Sequence, residues 1–113
     1  ITAPEHRVFV MDGRVLFSYK KRSSLTAKNL SRGGKIVNFT EHTDSELADL
    51  ALRATAALNL NLAGIDIFAA TSDNPAFVIE VNANPNIESL ERIGRDDLID
   101  AIWMRTFNAA LSV

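Results

Sequence analysis

Apolar and polar positions alternate most clearly in two places along the chain, and each predicts a β-hairpin. His6–Met11 and Arg14–Lys20 alternate on either side of Asp12-Gly13, a dipeptide that strongly favours the two-residue turn whose twist matches its flanking strands. With that turn closing directly on Met11 and Arg14, Val8, Val10, Val15, Phe17 and Tyr19 share one face. Arg7, Phe9, Leu16, Ser18 and Lys20 share the other, which sets Arg7 near Ser18 and Lys20. The second pair is Gly64–Phe68 and Val78–Asn82, joined through Thr71–Pro75, and Asn82-Ala83-Asn84-Pro85 stops its second strand with residues that favour turns.

Between and after the hairpins the period changes to that of a helix. Thr43-Asp44-Ser45-Glu46 reads as a capping box, and Leu47, Leu50, Ala51, Ala54, Ala57 and Leu58 follow at helical spacing for roughly four turns. Asn59 and Asn61 are expected to end this helix. A second helix is expected over Asp96–Leu111, opened by acids and lined by Leu98, Ile99, Ile102, Trp103 and Phe107, with Trp103 in the core. Ser23–Lys35 reads as a loop. The fold class is therefore α+β, an antiparallel sheet with helices packed on one face.

Composition adds bounds to this picture. The 113 residues make one small domain; they are 47% hydrophobic and 23% charged, with no cysteine, which excludes disulfides and thiolate chemistry. No apolar run approaches a membrane span, and the chain reads as cytoplasmic. It opens on Ile1 rather than Met, which fits a piece of a longer protein. The net charge of −2 conceals a polarity: residues 1–35 carry eight Lys or Arg against two acids, and residues 36–113 carry four against twelve. A basic segment beside carboxylates suits a metal–nucleotide site, whereas a solvated basic hairpin would explain the first half alone.

The acids are placed where acids are costly. Asp66 stands among Ile65, Ile67 and Phe68, and Glu80 among Ile79 and Val81, yet a buried carboxylate needs a partner or a cation. Strand alternation puts Glu80 and Asn82 on one face, and Asp66 joins them if opposed residues sum to an even number. A hairpin with one solvated polar face would look similar along most of its length. The abrupt stop after Asn82 favours a ligand site at the strand end. An Asp, a Glu and an Asn amide oxygen form a hard set suited to Mg²⁺. Lys20-Lys21-Arg22 ends the basic strand, and a twist or bulge there could aim any of the three at a ligand. In the loop, Arg32 offers a planar donor fork and Gly33-Gly34 allow backbone N–H groups to approach an anion. His6 and His42 stand isolated and read as structural or solvated.

Taken in order, these motifs resemble the C-terminal part of the ATP-grasp ligases. They are Glu5-His6-Arg7 leading a strand, Lys20–Arg22, Asn29-Leu30-Ser31-Arg32-Gly33-Gly34, Ala63-Gly64-Ile65-Asp66, and Val78–Pro85. The combination is most similar to the branch containing ribosomal-protein glutamate ligases, cyanophycin synthetases and glutathione synthetases, and it covers roughly the first ninety residues. The resemblance implies that Asp66, Glu80 and Asn82 are magnesium ligands for two ions, with Glu80 bridging them and Mn²⁺ as a substitute. It implies that Arg7, Lys21, Arg22, Asn29 and Arg32 act on the transferring phosphoryl group, and that Glu5, Lys20, Gly33 and Gly34 belong to the nucleotide site. Glu5 stands where the family usually has Asp, and Lys21 where Arg is expected.

The expected activity of the parent protein is carboxylate–amine ligation, in which ATP phosphorylates a carboxylate and an amine then attacks the acyl phosphate to form an amide or peptide bond. The expected substrates are amino acids or peptides, and residues 1–113 would be the C-terminal subdomain of the module, partnered by its N-terminal half. Two other functions fit parts of the pattern: a non-catalytic nucleotide-binding or assembly domain, and a nucleic-acid-binding domain using the basic hairpin. The second is disfavoured because that hairpin is poor in exposed aromatics suited to stacking bases.

Overall fold

A computed structural model of the chain describes residues 5–21, 36–83, 90–91 and 93–111. Five strands and two helices follow one another: β1 (Glu5–Met11), β2 (Arg14–Lys21), β3 (Ile36–Thr40), α1 (Ser45–Ala57), β4 (Leu62–Phe68), β5 (Phe77–Asn82) and α2 (Asp96–Leu111). The strands form one antiparallel sheet in the order β3-β2-β1-β4-β5.

Both expected hairpins are present. Asp12 and Gly13 take φ of 52° and 77°, the positive values that their turn requires. Strand β3 was not expected. Its Ile36-Val37 and Phe39-Thr40 are good strand formers, but Asn38 between them has φ 56° and breaks the alternation that would have revealed it.

The register of the first hairpin differs from the simple expectation. Val10 pairs with Val15, but Phe9 pairs with Phe17, so Leu16 is an extra residue bulged out of β2. Side chains alternate with period two, so one extra residue exchanges the faces of everything beyond it. Phe17, Tyr19 and Lys21 consequently share the face of Arg7, while Ser18 and Lys20 share that of Val8. Arg7 lies opposite Tyr19, not beside Ser18 and Lys20.

Each face of the sheet has its own core, so the helices do not lie on one side as expected. On one face Val8, Val10, Ala63, Ile65 and Ile67 pack against Leu47 and Ala51 of α1. On the other, Phe9, Phe17 and Tyr19 pack with Leu90 and with Leu98 and Ile102 of α2. The physical reason is the bulge at Leu16, which turns Phe17 and Tyr19 away from α1 and makes a second apolar surface. Phe17 stacks at 5.0 Å on Phe9 and at 5.3 Å on Phe39. Arg95 sits over Phe39 and pairs with Asp97 and Glu41, fixing the start of α2 to this aromatic group.

Helix α1 begins at Asp44, whose side chain accepts from the Glu46 N–H. Thr43, the expected first residue of a capping box, instead donates its hydroxyl to Ser18 Oγ at 2.7 Å. The helix ends as expected, with Asn59 at φ 55°. In α2 only part of the expected apolar stripe is covered: Leu98 and Ile102 are buried, but Trp103 is 61% exposed and Phe107 64%. Trp103 is therefore not a core residue in this chain.

Candidate functional site

The aromatic face continues, past the reach of α2, into a charged surface built by four strands. The register aligns residues of β2, β1, β4 and β5 into rows: Tyr19, Arg7, Asp66 and Glu80 form one. The next row toward the strand ends contains Lys21, Glu5, Phe68 and Phe77. On the other side lie Phe17, Phe9, Gly64 and Asn82. A second bulge makes this alignment possible in β5. Asp66 opposes Glu80 while Ile67 opposes Val78, so Ile79 is the extra residue and stands 43% exposed. The even-sum condition is met on the site side of that bulge, and Asp66, Glu80 and Asn82 share a face.

Asp66 is the centre of the electrostatics. It is only 4% exposed, and Arg7 donates to it through Nε at 2.8 Å and Nη2 at 3.0 Å. Lys21 Nζ donates to Asp66 Oδ2 at 3.0 Å and to Glu5 Oε2 at 2.8 Å. Burial pushes the Asp66 carboxyl up, but hydrogen bonds and charge from Arg7 and Lys21 outweigh it and hold the group below its ordinary range. The Arg7 guanidinium is correspondingly raised, chiefly by its hydrogen bonds to Asp66, against the opposing effect of burial and with lesser help from Glu80. The carboxylate is thus kept ionised inside an apolar strand.

Among the described residues, Lys21 is the cation of the strand end that meets Asp66. Lys20 lies on the other face, paired with His6, where burial first and the Lys20 charge second lower the His6 pKa. Lys20 therefore does not reach this surface. Arg22, Asn29, Arg32, Gly33 and Gly34, together with Asn84 and Pro85, lie outside the described residues. The ion pairs of Asp66 with Arg7 and Lys21 were not anticipated. The signal for them was the need of a lone carboxylate among Ile and Phe for a counter-charge in the neighbouring strand.

The donor set fits a hard divalent cation in kind. Asp66 and Glu80 are carboxylates on directly opposed residues, Glu80 is exposed, and Asn82 adds an amide next along the face. Among the described residues no three His, Cys, Asp or Glu side chains gather into a metal-binding group.

Five antiparallel strands carrying cations and carboxylates on one face, with a helix on each side, are the architecture of part of an ATP-grasp protein. An ATP-grasp ligase solved with a precursor peptide and AMPPNP, PsnB, superposes with TM-score 0.63 at 25% identity over 94% of this chain and 33% of its own. The same enzyme was also solved with a phosphomimetic precursor variant, Mg and ADP, again at TM-score 0.63. The chain belongs to the RimK-like ATP-grasp family, which residues 2–103 match. It is 34% identical over 100 residues to "Probable alpha-L-glutamate ligase 2" of Shewanella frigidimarina, covering 85% of this chain and 32% of that protein. It is 33% identical over 95 residues to "Coenzyme gamma-F420-2:alpha-L-glutamate ligase" of Methanococcus maripaludis, covering 84% and 32%. The chain thus spans about a third of the length of the curated relatives it matches. Among the described residues no helix is long and apolar enough to cross a membrane.

Proposed function

We propose that this chain supplies the metal-and-phosphate face of a cytoplasmic, ATP-dependent carboxylate–amine ligase. It would act as the C-terminal subdomain of an ATP-grasp module whose N-terminal half closes over the nucleotide. One observation carries the reading: a buried Asp66 in register with Glu80, held ionised by two cations, Arg7 of β1 and Lys21 of β2. A structural ion pair alone needs one cation, whereas a site for a charged phosphate and its metal needs both signs within reach.

In this reading Asp66, Glu80 and Asn82 would hold Mg²⁺, two ions in all, with Mn²⁺ as a substitute. The metal supplies neutralisation of charge between the β- and γ-phosphates. Arg7 and Lys21 stabilise charge on the transferring phosphoryl group, joined by Arg22, Asn29 and Arg32, while Glu5 orients Lys21 and Gly33-Gly34 offer backbone donors. A substrate carboxylate oxygen attacks the γ-phosphorus and ADP leaves; an amine then attacks the acyl carbon and phosphate leaves. No protein nucleophile is needed. The names of the relatives favour an amino acid, glutamate above all, as the amine and a peptide or acidic acyl group as the carboxylate.

The test is amine-dependent ADP release by the complete protein with Mg²⁺, ATP and glutamate. Release that requires amine supports ligation. Nucleotide binding without release would assign a non-catalytic binding or assembly role instead.

A further inference from the structure

The surface around Asp66 nearly neutralises itself. Arg7 and Lys21 contribute +2, and Glu5, Asp66 and Glu80 contribute −3, leaving −1. Both oxygens of Asp66 are already taken, Oδ1 by Arg7 and Oδ2 by Arg7 and Lys21. A bare divalent ion that takes Asp66 as a ligand competes with two cations that are themselves poorly hydrated, since each side chain is only 17% exposed. It would also leave the cluster at +1, with the Arg7 guanidinium deprived of Asp66 and the Lys21 ammonium left to Glu5. Breaking a buried charge pair from one side is strongly unfavourable, because the abandoned charge stays desolvated.

An anion arriving with the metal removes that difficulty. Phosphate oxygens are the natural acceptors for a guanidinium fork and an ammonium, so Arg7 and Lys21 can exchange Asp66 for phosphate as the metal takes the carboxylate. Resting on the metal–phosphate reading given above, we propose that Arg7 and Lys21 are a built-in counter-cation pair. They hold Asp66 until metal and polyphosphate arrive together, so that the site selects the complex and discriminates against the bare ion. Binding of the two parts is then coupled, and by linkage the coupling is reciprocal.

Calorimetric titration tests this on the 113-residue chain with two probes, Mn²⁺ alone and preformed Mg²⁺–tripolyphosphate. The wild type should bind Mn²⁺ alone at least about tenfold more weakly than the complex. Lys21→Met should bind Mn²⁺ alone about fivefold or more tightly than wild type, because a repelling charge and a competitor have gone. It should bind the complex more weakly, by a similar factor. Lys21→Arg should restore wild-type behaviour for both probes. Opposite signs for the two probes are the signature, since a merely structural lysine would weaken both or neither. Circular dichroism checks the fold of each variant, and the Arg7 Nε–H resonance in nitrogen-15 NMR reads the exchange with no substitution at all. It should stay in place with Mg²⁺ alone and shift with Mg²⁺–tripolyphosphate.

Equal Mn²⁺ affinity in wild type and Lys21→Met, with normal binding of the complex, would overturn this inference and leave the metal site standing. A shift of the Arg7 resonance by Mg²⁺ alone, at the concentration at which the complex shifts it, would do the same. Failure of the wild type to bind either probe would overturn the inference and the metal-site reading together.

Discussion

Replacing Asp66 with Asn removes one charge while keeping the shape of the side chain, and the geometry ranks its cost against those of its partners. Loss of the carboxylate charge leaves Arg7 without its counter-charge and Lys21 with Glu5 alone, each 17% exposed at the side chain. Arg7→Met leaves Asp66 to Lys21, and Lys21→Met leaves Asp66 with both Arg7 hydrogen bonds. Removing one partner of a buried pair costs about 3–5 kcal/mol. The amide oxygen of Asn still accepts from Arg7 and water reaches both cations in part, which brings Asp66→Asn to about 3 kcal/mol. By the same reasoning Arg7→Met falls near ~2 kcal/mol and Lys21→Met near ~1 kcal/mol, because each leaves the carboxylate with a cation. Small domains have about 5–15 kcal/mol in total, so the first change removes a large share. At a urea dependence of about 1.5–2 kcal/mol/M its unfolding midpoint should fall by about 1.5–2 M. Urea titration followed by far-ultraviolet circular dichroism at neutral pH is the suitable assay, because the exposed Trp103 reports weakly on burial. A midpoint for Asp66→Asn within about 0.3 M of wild type, or above that of Lys21→Met, would refute the argument that this cluster is a desolvated ion network.

Four further outcomes follow from the same structure. Glu80→Gln should leave the thermal midpoint within a few degrees, because the carboxylate is exposed, while reducing ADP release in the complete protein by about 100-fold or more if it serves the metal as proposed; near-normal release would defeat its role. Because Asp66 binds its proton less tightly folded than unfolded, its contribution is complete above the ordinary carboxylate value and is lost as pH falls through the lower folded one. Urea midpoints should therefore drop below about pH 4, and the drop should flatten in Asp66→Asn. Ile65→Ala, at a fully buried position under α1, should cost about 2–5 kcal/mol by the same urea assay. The 113-residue chain alone should unfold cooperatively yet release no amine-dependent ADP; substantial release would show that the chain carries a complete catalytic site.

The parts of the fold that could be read from sequence are those whose signals are local. The Asp12-Gly13 turn, the helical spacing after Ser45, and the acids of the Asp66 and Glu80 strands each announce themselves within a few residues. What was missed depends on contacts between distant segments. Nothing near Leu16 distinguishes a bulged strand from a regular one, because the bulge is set by which aromatics find a partner in Phe9, Phe39 and α2. Strand β3 hides behind Asn38, and the exposure of Trp103 depends on where the sheet ends beneath α2. The metal-type residues were visible as acids out of place. Their ion pairs were not, because the regular register put Lys20 where Lys21 stands.

The bulge at Leu16 also sets which changes of length the first hairpin can accept. One residue gained between the bulge and Lys20 would reverse the parity of everything beyond it, whereas loss of Leu16 itself would remove the bulge and leave every pair from Phe9 and Phe17 onward in place. The adjacent lysines make the site itself tolerant of such a slip, since Lys20 would then take the position of Lys21. The aromatic column would not tolerate it, because Phe17 and Tyr19 would be turned into the face already filled by Val8, Ile65 and Ala51. A single insertion in β2 should thus destroy folding before it alters charge at Asp66, whereas deletion of Leu16 would shorten the arm by one residue and keep both addresses.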